Sequence, residues 1–160
     1  MSPYLFGGGQ ERGIRPGTLN VPGIVGFGQA VELCSREMQD DSERLSTLRG
    51  AIDIELSILA VVRINGRTSP RLPHMTNVSF RHIDETKLIP SLKQLAVSRG
   101  SSCSSTTIKP SHVLKNMGLS DQLALSSIRI GLGRYTTEEE VRIAIDSIKM
   151  TVEQLRLTTT

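Results

Sequence analysis

Ile24, Phe27, Val31, Cys34 and Met38 recur at alternating spacings of three and four, which is one face of a helix. Leu45, Leu48, Ile52, Leu56 and Leu59 continue the stripe in phase across the polar stretch 39–42. The pattern predicts one long helix over about residues 21–60, with Cys34 on its buried side. At about 1.5 Å per residue it would reach roughly 55–60 Å, more than a small domain's diameter. Such a helix should connect two bodies or protrude. "VVRIN" and "TNVSFRHI" read as strands, being β-branched runs between Gly and Pro. "ETKLIPSLKQLAV" is helical in pattern, with Pro90 awkward inside it: either Thr86 caps the helix late or the first turn is kinked. "SHVLKNMG" predicts a short helix stopped by Gly118. In "SSIRIGLG", Ile128, Ile130 and Leu132 alternate to one face and Arg129 to the other. The last helix opens with Thr137 and Glu140 at capping-box spacing and carries the stripe Val141, Ile145, Ile148, Val152 and Leu155.

The order predicts an α/β chain in three parts. A Gly-rich loop (1–20) precedes the long helix (21–60). A compact α+β domain (61–160) follows, with a small antiparallel sheet covered by helices. The loop and much of the long helix have no core of their own, so they look like part of something larger.

Composition narrows the function classes. The 160 residues are 38% hydrophobic and 22% charged, within the globular range. Aromatics are 3% with no Trp, too few for a base-stacking platform. The net charge of +3 comes from scattered basic residues, which gives a nucleic-acid footprint no support. No run of 18 apolar residues exists, so no membrane partner is expected. The opening segment lacks the layout of a signal peptide. The two cysteines stand far apart with no His or Cys at ligand spacing. No resident metal is expected, and the setting expected is cytoplasmic.

Three positions are candidates for chemistry. Cys103 sits in "SRGSSCSSTT", where nothing apolar can bury it and where Arg99 and Lys109 would favour the thiolate. The same position fits an incidental cysteine in a Ser-rich loop. Arg129 is a cation on the open face of a strand, where it could grip a carboxylate; on pattern alone a solvated face of an antiparallel sheet is the commoner reading. Thr18 follows "GGGQERGIRPG". That segment is neither a P-loop nor G-x-G-x-x-G, although its backbone and hydroxyl suit a phosphate. His74, His82 and His112 form no ligand pattern.

Five ordered motifs then resemble one family: "GGGQERGIRPGTLNVPGIVGFGQAVEL", "RLPHMTNVSF", "LAVSRGSSCSS", "PSHVLKNMGLS" and "SSIRIGLGRYTTEEEV". Together they are similar to the C-terminal part of cysteine desulfurases of the NifS/IscS type. These are fold-type-I pyridoxal-phosphate (PLP) homodimers that take sulfur from L-cysteine and leave alanine. The resemblance implies that Cys103 is the nucleophile that becomes a persulfide. It implies that Arg129 binds the substrate carboxylate and that Thr18 reaches the PLP phosphate of the partner subunit. It further implies an iron–sulfur scaffold or other sulfur acceptor as partner, with Cys103 transiently ligating a shared cluster.

In that family PLP is attached through a lysine in a Ser-x-His-Lys motif. None of Lys87, Lys93, Lys109, Lys115 and Lys149 follows a His. The Asp at the pyridine nitrogen and the His stacked on the ring should also precede residue 1. The chain therefore looks like a truncated product, an expressed piece or the second half of a split gene, with no PLP held covalently. Two other functions fit the same sequence: a non-enzymatic domain that carries persulfide or binds a scaffold, and an inactive fragment that self-associates. A separate large-domain chain is the partner that the first reading calls for.

Overall fold

A computed structural model describes residues 2–98 and 109–157. The chain divides into two units, Met1–Gln39 and Asp40–Thr160. Helix α1 (Val21–Ser57) begins in the first and ends in the second. It runs without a break at 39–42, as the unbroken apolar phase requires.

The first unit holds a loop and the opening half of α1. A 3-10 turn at Gln10–Gly13 places Glu11 (φ 51°), Arg12 (φ 58°) and Gly13 (φ 76°) successively in the left-handed region. Two non-glycine residues there are uncommon, and such conformations concentrate at functional loops. The Asn20 side chain accepts a hydrogen bond from the Gly23 amide at 3.1 Å, closing the first turn of α1. Val21, Ile24, Val25, Phe27, Val31 and Met38 are exposed. Cys34, expected on a buried face, is exposed with them. Periodicity identifies a face that wants cover, and among the described residues nothing covers this one.

The second unit is built on three antiparallel strands in the order β1 (Val62–Ile64), β2 (Met75–Phe80) and β3 (Ser127–Gly131). Ile64 faces Val78, and Val78 faces Ile128. This register sends Ile64, Val78, Phe80, Ile128 and Ile130 to one side. There they form a single core with Leu45, Leu48, Ile52 and Leu56 of α1 and the apolar stripe of α5 (Glu138–Leu157). All five stripe residues predicted for α5 are buried. Its capping box is closed both ways: the Thr137 amide donates to Glu140 Oε2 at 2.8 Å, and the Glu140 amide to Thr137 Oγ1 at 3.2 Å. The expected small antiparallel sheet covered by helices is therefore present.

Two elements differ from the pattern. Helix α2 (Glu85–Ser91) is capped by Asp84 and ends one residue after Pro90. Proline removes an amide and crowds the preceding turn, so the helix does not continue to Val97. Instead Ser98 forms a bridge with Arg129 on the outer edge of β3. After α3 (His112–Asn116) comes a further short helix, α4 (Asp121–Leu125), capped by Ser120. Periodicity cannot register a helix of that length. No described helix is long and apolar enough to cross a membrane.

Candidate functional site

The sheet face opposite the core is polar. Asn77 and Ser79 of β2 and Ser127 and Arg129 of β3 point to it, because they alternate with Val78, Ile128 and Ile130. Asn77 is the direct cross-strand partner of Arg129, and Asn65 pairs with Asn77 through its backbone amide at 2.9 Å. Above this face lies a cleft of about 530 Å³, whose walls include Asn65, Arg71, Asn77, Ser111, Met117 and Arg129.

The charges of the cleft are unequal. Arg71 is paired with Asp53 at 2.5 Å, and Thr76 Oγ1 donates to the other Asp53 oxygen at 2.6 Å. Asp53 is 5% exposed, so it neutralises Arg71's charge inside the protein, and the ion pair and the Thr76 hydrogen bond offset the cost of taking its carboxylate out of water. The Arg129 guanidinium makes no hydrogen bond or ion pair among the described residues, and the residue is exposed. Among the described residues of the cleft, Arg129 is thus the cation without a counter-charge. A fork of N–H donors at the wall of a partly apolar cleft is suited to a carboxylate.

The polar face is braced by a chain of hydrogen bonds. Asn65 Nδ2 lies 2.6 Å from both Asn77 Oδ1 and Ser79 Oγ. The Ser79 and Ser127 hydroxyls are 2.6 Å apart, and Ser127 Oγ donates to the Leu123 carbonyl at 2.7 Å. Asn65 is 4% exposed, and its Oδ1 is buried without a partner among the described residues. An unpaired buried acceptor costs about 1–3 kcal/mol. Sequence reading missed this chain, although its outward positions on β2 and β3 share the period-two register that exposed Arg129.

Arg129 is also the mooring of the Cys103 segment. Its amide donates to Ser98 O at 2.7 Å, and Ser98 N to Arg129 O at 3.3 Å. On the far side Ser111, buried, lines the same cleft. Cys103, with Arg99, lies outside the described residues.

Thr18 lies in the exposed loop of the first unit, and Arg129 in the second. The backbone at Thr18 is held locally. Arg15 Nη1 donates to the carbonyls of Gly17 at 2.9 Å and Thr18 at 3.1 Å, and the Gly17 amide donates to Gln10 Oε1 at 3.1 Å. Gly17 has φ 95°, a conformation that a side chain would strain. Among the described residues no three His, Cys, Asp or Glu side chains gather as a metal site would need.

Residues 2–143 match the family model for class-V aminotransferases. The chain is 45% identical over 152 residues to cysteine desulfurase IscS of Klebsiella pneumoniae, covering 95% of this chain and 38% of that protein. It is 44% identical to a mitochondrial cysteine desulfurase of Arthroderma benhamiae, covering 98% of this chain and 31% of the relative. Among solved structures, a NifS-like protein from Rickettsia africae superposes with a TM-score of 0.79 at 32% identity, over 95% of this chain and 40% of that one. The chain thus spans well under half the length of the relatives it matches.

Proposed function

The chain belongs to the class-V aminotransferase family, and from that premise we propose that it supplies the small-domain part of a PLP-dependent cysteine desulfurase. The observation that carries this reading is the Arg129 cleft. Its cation is unpaired among the described residues, and both ends of the Cys103 segment are rooted beside it at Ser98 and Ser111. A clamp for an amino-acid carboxylate and a tethered thiol belong to the same site.

The residues present fit an edge contact with PLP but not its covalent attachment. Thr18 offers a hydroxyl in a loop of left-handed backbone. Among the described residues, no lysine lines the Arg129 cleft. Lys87, Lys115 and Lys149 are ion-paired with Asp84, Asp121 and Glu55. None of the five lysines follows a His as the family's attaching lysine does, so this reading assigns that lysine to another segment or chain. When bound, PLP supplies an electron sink.

The chain's own part is binding and nucleophilic attack. Arg129 holds the carboxylate of L-cysteine and so fixes the position of its sulfur. The Cys103 thiolate attacks that sulfur. An S–S bond forms as the substrate's C–S bond breaks, and the electron pair of the broken bond stays with the carbon skeleton, which is protonated and leaves as alanine. The outer sulfur remains on Cys103 as a persulfide, for delivery to an iron–sulfur scaffold or another sulfur acceptor. A cytoplasmic setting, where thiols stay reduced, suits this chemistry.

The test pairs this chain with a large-domain chain carrying a Ser-x-His-Lys motif, their association established by co-elution. Alanine release from L-cysteine should need both chains and PLP, and Arg129→Ala should raise KM by about tenfold or more. Robust sulfide release by the 160-residue chain with PLP alone would overturn the reading. Self-association is a second property we propose, favoured by the exposed apolar stripe of α1.

A further inference from the structure

The hydrogen bonds on the polar face can be followed proton by proton, and the count fixes a direction. Ser127 has one hydroxyl proton and gives it to the Leu123 carbonyl. The contact between the Ser79 and Ser127 hydroxyls must then use the proton of Ser79. Ser79 Oγ, its proton spent, can only accept from Asn65. That requires the Asn65 amide to present its nitrogen, Nδ2, and not its oxygen. The second Asn65 Nδ2 proton goes to Asn77, which must therefore turn its oxygen toward Asn65. What remains is the Asn77 NH2 group, with no partner among the described residues, on the cleft wall directly across from Arg129. A backbone carbonyl in α4 thus sets, through three side chains, which end of a fourth faces the cleft.

We propose that Asn77 is a second donor to the carboxylate held by Arg129, and that Asn65 is the positioning residue that keeps its NH2 group turned to the cleft. This rests on the carboxylate-clamp reading of Arg129 and deepens it. Cross-strand neighbours carry their Cβ atoms about 4.5–5.5 Å apart, close enough for one carboxylate to take the guanidinium fork and a third N–H. A carboxylate accepts at two oxygens with about four lone-pair sites, so three donors do not saturate it. An ammonium group gains nothing here, since both groups facing it are donors. The pair therefore reads the acid end of an amino acid and not its amine end.

The test is an NMR titration of the 160-residue chain, following the side-chain N–H signals of Arg129, Asn77 and Asn65. The probes are 3-mercaptopropionate, which has the carboxylate without the amine, and cysteamine, which has the amine without the carboxylate. The carboxylate probe should move the Arg129 Nε–H and Asn77 Nδ2 signals together, and cysteamine should move neither. Asn77→Ala should weaken the carboxylate probe about tenfold, the scale of one hydrogen bond to a charged group, while the Arg129 signal still responds. Asn77→Asp keeps an acceptor for Asn65 and so the fold, which backbone spectra will show. It puts a negative charge where the donor was and should abolish binding. If either Asn77 variant binds the carboxylate probe as tightly as the unaltered chain, the proposal falls and the Arg129 reading stands. If Arg129→Ala binds unchanged, the clamp reading itself falls. An Asn77 response to cysteamine would mean that its oxygen faces the cleft, which overturns the proton count. Silence of both signals toward the carboxylate probe overturns both.

Discussion

Asp53 shows how one side chain decides the electrostatics of the cleft. It is buried, takes a hydrogen bond from Thr76 at 2.6 Å and pairs with Arg71 at 2.5 Å. Removing it leaves a largely buried arginine without its counter-ion. Asp53→Ala should destabilise the chain by about 3–5 kcal/mol, measured by urea denaturation, and it should give the cleft a second free cation. A loss below about 1 kcal/mol would mean that the pair is solvated. Arg129 was legible in the sequence because a cation between two isoleucines of an alternating run must take the other face. Asn65, Asn77, Ser79 and Ser127 were not legible as a group. Each is an ordinary polar strand residue, and only the cross-strand register brings them into one hydrogen-bond chain.

At the scale of elements, α5 was fully readable: a capping box, acidic residues in the first turn, and a stripe that is buried at all five positions. Helix α2 was half readable, because Pro90 limits it and Asp84 starts it. The Asp84 side chain accepts from the Thr86 amide at 2.9 Å and from its hydroxyl at 2.6 Å. These hydrogen bonds, with Lys87 nearby, hold its carboxyl below the ordinary value of 3.8. A depressed pKa contributes stability that is present above the unfolded value and lost as pH falls through the folded one. Hydrogen-exchange protection of the α2 amides should therefore drop below pH 3.8 and hold at neutral pH. Asp84→Asn, which keeps an acceptor, should remove that acid sensitivity, and an unchanged profile would count against the cap. The core under these elements is tight. Phe80 is fully buried between β1 and β3, and Phe80→Ala should cost about 3–5 kcal/mol by the same denaturation measurement.

For the whole molecule, the sequence identified α1 and its apolar face but not whether that face is covered. The C-terminal half of the stripe enters the core, while Ile24, Phe27, Val31, Cys34 and Met38 stay exposed. Local periodicity is the same in both halves, and cover is a property of the rest of the molecule. Exposed apolar faces of this kind drive association, so sedimentation at micromolar concentration should show dimers or larger species, and monomer alone would contradict this. Cys34 is exposed on that stripe in the single chain. The most direct test is peptide mass mapping after this chain, an associated Ser-x-His-Lys large-domain chain, PLP and L-cysteine are mixed and then trapped with an alkylating agent. One added sulfur should appear on the Cys103 peptide and none on the Cys34 peptide, with the addition lost in Cys103→Ser. Alanine release with no sulfur on Cys103, or with sulfur on Cys34, would contradict it.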